Sequence, residues 1–191
     1  RSWGPPFLKD ENGEDTTEAA YYLAANRGKQ SLTLNIASPE GAAIARELAA
    51  KADIVIENYK LGGLVKYGLD YDSLKADNPA LIYCSITGFG QTGPYAPRAG
   101  YDFVIQGLCG FMSITGERDD LPGGGPQKAG VAITDLTTGL YSTIAILAAL
   151  NHRNNTGEGQ YIDMALADSA VALMANMNMN YLTSGVPPKR F

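Results

Sequence analysis

The sequence predicts an α/β fold in which a Rossmann-like open parallel sheet is flanked by helices. Three observations predict it. Short apolar segments alternate with helix-forming segments between residues 31 and 86. The order strand, helix, strand, helix, strand requires crossover connections, and these place the strands parallel. The chain has 191 residues, 45% of them hydrophobic and 18% charged, so it can bury a core of its own.

The first predicted strand covers residues 31–36, where polar and apolar side chains alternate as they do in a half-buried strand. Ser38-Pro39-Glu40 then predicts the start of a helix. Ser is a good cap, Pro fits the first turn, and an acidic residue suits the positive end of the helix. We expect this helix to end near Lys51 and to bury Ile44 and Leu48.

The rest of the chain continues the alternation less regularly. Residues 131–150 predict the longest helix, which is apolar on nearly every face and is therefore expected to be buried. Residues 1–20 and 117–127 predict loops. The other predicted elements are strands at 54–56, 81–86 and 160–164, and helices at 16–25, 71–75, 101–112 and 165–182.

Composition excludes several classes of function. The net charge of −5 argues against a nucleic-acid partner, which normally requires a basic face. Cys84 and Cys109 lie in apolar runs and are expected to be buried free thiols. With one His and no CxxC pair, the sequence predicts no metal site. The apolar stretch at 140–150 is shorter than a bilayer span, so no membrane partner is expected. The lack of disulfide signals favours the cytoplasm, or the mitochondrial matrix in a eukaryote.

Ligands of open parallel sheets bind beyond the carboxyl ends of the strands. Here those ends lead into residues 57–60 and into the glycine-rich residues 88–93. Glycines allow backbone N–H groups to approach a ligand closely. Cations that could bind the phosphates of a nucleotide-like cofactor surround this face in sequence, although each alone is more often a solvated surface charge. They are Arg27, Lys29, Lys60, Lys66 and Arg98.

Asp135 is the acidic residue that most resembles a catalytic group. It stands at the predicted start of the long apolar helix, where N–H groups would keep a carboxylate ionised and fix its direction. Such a carboxylate can attack an activated acyl carbon. On spacing alone, a helix cap without chemistry is the more common role for this residue. Two rival acids are Asp163, in a predicted strand, and Asp168, which resembles a cap at the start of the next helix.

The motifs together resemble the family III CoA-transferases and the related 2-methylacyl-CoA racemases. The resemblance is greatest to transferases that move CoA between succinyl-CoA and dicarboxylic acids. Each matching stretch is modest alone, whereas their order and spacing are highly specific. Two of them are Gly88-Phe89-Gly90-Gln91-Thr92-Gly93-Pro94-Tyr95 and Ile133-Thr134-Asp135-Leu136. The matching stretches run in order along nearly the whole chain, at 26–29, 31–35, 38–41, 52–59, 78–79, 82–95, 99–102, 130–139 and 156–160.

The resemblance implies roles for particular residues. It makes Asp135 the nucleophile, which forms a mixed anhydride with the acyl group and then an aspartyl-CoA thioester. CoA is implied as substrate and product, in acyl-CoA form, and no metal is implied. Ala99 departs from the pattern, because some members carry Lys there. The positions implied to contact CoA are Leu34, Asn35, Ile36, Ala37, Asn58, Tyr59, Lys60, Lys66, Ala99, Gly100, Tyr101 and Asp102.

The resemblance also sets expectations for the whole protein. Residues 1–191 would be the central part of a large CoA-binding α/β domain, without the first strand and the C-terminal small domain of the family. Members form interlocked homodimers. The racemases pair their Asp with a His base, and the matching region of this chain carries no His, so a transferase is favoured. A racemase and an inactive CoA-binding fragment are the alternatives.

Overall fold

The computed structural model describes residues 1–190, and the chain divides after Leu34 into two compact units. The first unit is a hairpin followed by a short helix. Strand β1 (Phe7–Lys9) pairs antiparallel with β2 (Asp15–Ala19), and helix α1 (Ala20–Ala25) follows. The turn between the strands is closed by Asp10, whose carboxylate accepts hydrogen bonds from the backbone N–H groups of Asn12 and Glu14 at 2.9 Å.

This unit corrects two sequence predictions in part. Residues 1–20 were expected to form a loop, whereas a hairpin occupies most of that range. The helix expected at 16–25 is confirmed for residues 20–25, whereas residues 16–19 belong to β2. The β-branched Thr16 and Thr17 favour a strand once the Asp10 turn folds the chain back. The predicted strand at 31–36 is also wrong, because residues 31–35 are irregular. No described strand pairs with them, and an extended segment needs such a partner to form a ladder.

The second unit contains the parallel sheet and most of the helices. Its strands are β3 (Ile54–Glu57), β4 (Ile82–Thr87) and β5 (Tyr161–Ala165). Its helices are α2 (Pro39–Ala50), α3 (Tyr71–Asp77), α4 (Asp102–Leu108), α5 (Ile133–Thr156), α6 (Leu166–Leu173) and α7 (Asn176–Ser184). The three predicted strands at 54–56, 81–86 and 160–164 are confirmed to within one residue.

The strands lie in the order β3-β4-β5 and all run parallel. Ile54 is opposite Ile82, and Tyr83 is opposite Tyr161. The central strand β4 is buried at five of its six positions, as expected when helices cover both faces of a parallel sheet. The α/β fold predicted from the sequence is therefore confirmed.

Alternate side chains of β4 enter two separate cores. Tyr83 points to the side of α2 and α3, where it packs with Ala49 and Leu74. Ile82 and Cys84 point to the opposite side and pack against α5. Because β3 and β4 run parallel, their carboxyl ends lie at the same edge of the sheet, where the loops that follow them meet.

Helix α2 begins as the sequence predicts but buries a different face. The Ser38 hydroxyl accepts a hydrogen bond from the Gly41 N–H at 3.0 Å, which confirms the cap. Ile44 and Leu48, expected in the core, are 46% and 52% exposed. The buried residues are Gly41 and Ala49, so the small side chains face the protein and allow a close approach.

Helix α5 is longer and more exposed than predicted. It continues to Thr156, beyond the apolar stretch at 140–150 on which the expectation of no membrane partner rested. One window has mean hydropathy 1.4, enough in length and composition for a membrane span, although a core helix passes the same test. One side packs through Ile146 and Ala149, while Leu140 and Ile144 on the other are 67% and 62% exposed. The expectation of a fully buried helix is wrong.

Two predicted helices are interrupted. Residues 101–112 form α4 and then a 3-10 turn, divided at Gly110, whose φ of 87° lies in the left-handed region. Residues 165–182 form α6 and α7, divided at Ala175, whose φ is 49°. Of the two thiols, Cys84 is buried as expected, whereas Cys109 is only partly buried.

Candidate functional site

A cavity of about 140 Å³ lies where the connections after β3 and β4 meet. We call it the strand-end cavity. It is lined by residues 58–61, Thr87, Gly88 and residues 96–101. Two segments far apart in sequence thus form one concave surface beyond the carboxyl ends of the strands. Of the residues implied to contact CoA, it brings together Asn58, Tyr59, Lys60, Ala99, Gly100 and Tyr101.

A polar network fixes the first of these segments. The Glu57 carboxylate accepts a hydrogen bond from the Tyr59 N–H at 2.7 Å and another from the Ser85 hydroxyl. The Asn58 amide donates to the Ile86 carbonyl at 2.5 Å, and the Gln91 amide donates to Ser85 at 2.8 Å. Because Ser85 is fully buried, its two bonds, to Glu57 and Gln91, are shielded from water, and together with the Asn58 bond they attach the loop to β4.

The second segment crosses the first very closely. A Cβ added to Gly100 would lie 2.3 Å from the Cα of Gly88, and one added to Gly88 would lie 2.4 Å from the Cα of Gly100. Both distances are far below van der Waals contact. Glycine at these two positions is therefore required by the close approach of two backbones that line the cavity.

The other predicted contacts lie elsewhere. Asn35, Ile36 and Ala37 form a turn before α2, in which the Asn35 side chain accepts the Ala37 N–H at 3.1 Å. Lys66 lies in a 3-10 turn with its ammonium 4.8 Å from the Tyr67 ring centroid. Leu34 belongs to the first unit. None of these residues lines the strand-end cavity.

Asp102 faces the start of α5 rather than the cavity. One carboxylate oxygen accepts hydrogen bonds from the Thr134 N–H at 2.8 Å, the Thr134 hydroxyl at 2.7 Å and the Asp135 N–H at 3.3 Å. The other accepts from the Gln106 amide at 2.6 Å. Ala132, at the cap position of α5, has no side chain that can cap, so Asp102 supplies the cap from α4.

Asp135 is the third residue of α5, not its cap. The helix-end N–H groups expected to keep its carboxylate ionised are bonded to Asp102 instead. Burial raises the pKa of Asp135, and the negative charge of Asp102 raises it further. Its side chain is in no ion pair or hydrogen bond with any residue between 1 and 190. The nucleophile predicted from sequence is thus unpaired, accessible and more basic than an ordinary Asp.

Asp135 lines none of the four cavities described for this chain. It is linked to the strand-end cavity only indirectly, through two other residues. Tyr101 lines that cavity, and the next residue, Asp102, holds the Asp135 N–H. The structure therefore places the predicted nucleophile beside the predicted cofactor segment, one residue and one hydrogen bond away.

The rival acids have other surroundings. The Asp163 carboxylate accepts the Gln91 N–H at 3.0 Å and so fixes the glycine-rich loop. Asp168 lies in the first turn of α6 and lines an apolar groove with Tyr141, Ile144 and Met164. Within residues 1–190, no three His, Cys, Asp or Glu side chains come together as a metal site.

Sequence reasoning missed a second cavity, of about 320 Å³, on the α3 side of the sheet. Tyr71, Tyr83 and Tyr161 line it, with ring centroids 5.2 to 5.9 Å apart, and Lys60 lines it as well. Burial raises the pKa of Tyr83, whose hydroxyl donates to the Leu69 carbonyl at 3.0 Å. The cluster could have been predicted from the pairing of Tyr83 with Tyr161, but that pairing can be recognised only when the register between β4 and β5 is known.

Comparison with known proteins shows which family the chain resembles. The family model "CoA-transferase family III" matches residues 1–191. The succinate–glutarate CoA-transferase of Agrobacterium fabrum is 60% identical over 190 residues, covering 100% of this chain and 46% of that protein. The human succinyl-CoA:glutarate CoA-transferase is 46% identical, covering 100% of this chain and 41% of that protein.

Solved structures agree. A CaiB/BaiF family protein from Brucella suis is 61% identical with a TM-score of 0.92, covering 100% of this chain and 49% of that one. The Mycobacterium tuberculosis protein Rv3272 is 35% identical with a TM-score of 0.75, covering 82% of this chain and 42% of that one. The chain thus spans about half the length of the relatives it matches. It belongs to CoA-transferase family III.

Proposed function

We propose that the protein containing this chain is an acyl-CoA:carboxylate CoA-transferase acting on small dicarboxylic acids. The observation that carries the proposal is the unpaired Asp135 carboxylate in the first turn of α5, whose backbone N–H is bonded to Asp102, the residue after Tyr101 of the cavity wall. The names of the relatives support the same reaction class, since those at 60% and 46% identity are dicarboxylate CoA-transferases.

Asp135 is the proposed nucleophile. Its carboxylate oxygen attacks the thioester carbonyl of the donor and displaces CoA thiolate, which leaves a mixed anhydride. The thiolate then attacks the aspartyl carbonyl, releases the donor carboxylate and forms an aspartyl-CoA thioester. The acceptor carboxylate then attacks the aspartyl-CoA carbonyl and displaces the thiolate, which forms a second mixed anhydride. The thiolate attacks the acceptor carbonyl of that anhydride, which releases the new acyl-CoA and regenerates the Asp135 carboxylate. The raised pKa suits this role, because a more basic carboxylate is a better nucleophile once ionised.

We propose that CoA binds in the strand-end cavity. The support is its place at the carboxyl ends of β3 and β4 and the six implied contact residues that line it. A volume of about 140 Å³ is too small for a whole CoA molecule, so this chain would hold one portion of it. Leu34, residues 35–37, Lys66 and Asp102 are weaker candidates, since none of them lines the cavity.

The proposed assembly is a homodimer. The side of α5 that bears Leu140 and Ile144 is apolar and exposed, and we infer that another surface of the complete protein covers it. The racemase alternative is less well supported. The one His of the chain, His152, lies 17 positions after Asp135 on the same helix, and at 1.5 Å per residue this is roughly 25 Å away.

Trapping of the acyl-enzyme tests the proposal. The full-length protein is incubated with succinyl-CoA and hydroxylamine, and the modified residue is located by mass spectrometry. We expect a hydroxamate on Asp135, and a loss of roughly a thousandfold or more in turnover for Asp135→Asn. Asp168→Asn is the matched control, because Asp168 occupies the equivalent third position of α6 and should retain activity. Full activity of Asp135→Asn, or modification elsewhere, would contradict the assignment.

A further inference from the structure

Gln106 is a fully buried polar side chain that the proposed mechanism leaves without a role. It lies in α4 and is 0% exposed. Its amide nitrogen donates to one Asp102 carboxylate oxygen at 2.6 Å, and its amide oxygen accepts the Ala129 N–H at 2.8 Å. Glutamine is seldom fully buried, because a buried amide loses its bonds to water. Here both ends of the amide have protein partners instead.

The partners of Gln106 fix the direction of its amide. The Ala129 N–H can only donate and an ionised Asp102 can only accept, so the amide oxygen faces Ala129 and the nitrogen faces Asp102. An apolar side chain of the same size would fill the space without either bond. The amide therefore joins α4 to the segment before α5, and a satisfied buried polar group of this kind fixes the relative position of the parts it connects.

The bond to Asp102 sets the direction of a carboxylate. Gln106 follows Asp102 by four positions, one turn along α4, so the two side chains meet on one face of the helix. With one oxygen held by Gln106, the other is directed at α5, where it accepts hydrogen bonds from Thr134 and from the Asp135 N–H. Rotation about the last bond of an Asp side chain is otherwise loosely restricted, so Gln106 removes a freedom that would move the carboxylate away from α5.

The bond to Ala129 holds the segment that leads into the same helix. Ala129 is four positions before Ile133, the first residue of α5. Ala132, at the cap position, contributes no side-chain cap, so the start of α5 depends on bonds from α4. One amide thus secures both the residue that caps α5 and the segment that enters it.

We propose that Gln106 is a positioning residue for Asp135. It acts through Asp102 and Ala129, by holding the first turn of α5 in one orientation, and does not itself contact the reacting atoms. The inference rests on the proposed function, in which the Asp135 carboxylate must meet a thioester carbonyl at a defined distance and angle. A misplacement of about 1 Å in such a geometry can cost roughly 100-fold in rate.

Hydrogen exchange tests the positioning without reference to catalysis. Gln106→Met replaces the amide by an unbranched apolar side chain of similar volume and removes both bonds. In the full-length protein, we expect amide exchange in a peptide covering residues 129–136 to become about fivefold faster, as for the loss of one ordinary hydrogen bond.

Asn78→Leu is the matched control, because the Asn78 amide also joins two segments. It donates to the Ala52 carbonyl at 3.1 Å and accepts the Ala80 N–H at 3.2 Å, at the amino ends of β3 and β4. This variant loses the same number of bonds far from α5 in the fold, so exchange at residues 129–136 should stay as in the wild type.

Single-turnover acylation tests the consequence for the reaction. Full-length protein is mixed with succinyl-CoA, and acylation of Asp135 is followed in time by mass spectrometry after quenching with hydroxylamine. In Gln106→Met we expect the rate constant to fall about 10- to 100-fold, while the final amount of acyl-enzyme and the KM for succinyl-CoA change by less than about twofold. Partial unfolding gives the opposite pattern, a smaller amount formed at an unchanged rate constant. Asn78→Leu should keep both the amount and the rate constant.

Gln106→Asn is a milder second variant, since its amide is one methylene shorter and cannot reach both partners. Exchange and acylation should change in the same direction as in Gln106→Met, by less. An unchanged acylation rate constant, or unchanged exchange at residues 129–136, would overturn the positioning role in folded Gln106→Met, or in Gln106→Asn if thermal denaturation shows that the Met variant does not fold. Failure of the proposed function gives a different result: wild-type protein would then form no acyl-enzyme at Asp135, while the exchange comparison still decides whether Gln106 holds the turn.

Discussion

At the scale of single residues, two neighbouring carboxylates at the start of α5 have different environments. Asp102 accepts four hydrogen bonds, three of them from the first turn of α5, and is fully engaged in holding the helix. Asp135 is unpaired within the described chain, and its pKa is raised by burial and by the Asp102 charge. One carboxylate therefore caps the helix, while burial and the charge of its neighbour make the other more basic than an ordinary Asp.

The first prediction concerns the pH dependence that follows from this pair. Asp102→Asn removes the negative charge, while its amide oxygen can still accept from Thr134. Because Asp102 raises the pKa of Asp135, the variant should ionise Asp135 at a lower pH. In kcat/KM against pH for the full-length enzyme, the acidic limb should shift to lower pH. An Asp163→Asn variant should leave it in place, and an unshifted limb in Asp102→Asn would contradict the coupling.

A second prediction concerns stability and has a definite sign. The folded-state pKa of Asp135 lies above its ordinary value of 3.8, so between these two values the folded protein binds more protons than the unfolded one. Asp135 should therefore make stability fall as pH rises through that window. In urea titrations at several pH values, Asp135→Asn should flatten this part of the stability profile. An unchanged slope would mean that the pKa is not raised.

At the scale of elements, glycine and cap positions decide where segments can lie. The Gly88–Gly100 crossing brings the two walls of the strand-end cavity together, and the Ser38 cap sets the start of α2. Both features depend on single atoms, a missing Cβ in one case and a hydroxyl oxygen in the other. Single substitutions therefore test them.

The third prediction is that Gly100→Ala disrupts the cavity. Its Cβ would overlap the Gly88 backbone, so the two segments must separate. We expect a loss of about 1 to 3 kcal/mol in unfolding free energy, as for other overpacked sites, and weaker CoA binding by calorimetry. Gly130→Ala is the control, since nothing lies within 4 Å of its added methyl group. Equal behaviour of the two variants would exclude a special role for the crossing.

The fourth prediction is that Ser38→Ala costs about 1 kcal/mol of stability, the usual value of a lost N-cap, because the Gly41 N–H loses its acceptor. Urea denaturation measures the difference. Glu47→Ala, an exposed change on the same helix, should stay within about 0.5 kcal/mol. If both changes had the same effect, the cap would not contribute.

At the scale of the whole molecule, one side of α5 is apolar and uncovered in a chain that spans about half the length of its relatives. The fifth prediction is that Leu140→Ser with Ile144→Ser reduces self-association of the isolated chain in analytical ultracentrifugation and hardly changes its stability. Ile146→Ala, on the packed side of the same helix, should instead cost about 2 to 5 kcal/mol. Unchanged association would mean that this surface does not mediate contact between chains.

Short-range sequence patterns predicted the strands of the parallel sheet and the start of α2 well. The strands around β4 and the Ser38 cap follow from apolar runs and capping preferences, which act over a few residues. Long-range packing was not predictable in the same way. Ile44 and Leu48 are as apolar as any core residue, but α2 turns its small residues inward. The environment of Asp135 depends on Asp102, which is 33 positions earlier and is recognised only once α4 and α5 are placed together.

The peptide bond between Tyr101 and Asp102 has a mechanical consequence. Tyr101 forms part of the cavity wall, and Asp102 anchors the first turn of α5. Consecutive Cα atoms are separated by a fixed 3.8 Å, so a ligand that displaces the wall at Tyr101 also pulls on that anchor. If CoA binds in the strand-end cavity as proposed, its contact with Tyr101 would also act on the residue that caps the helix bearing Asp135, so ligand binding and the position of the proposed nucleophile would be linked through the main chain.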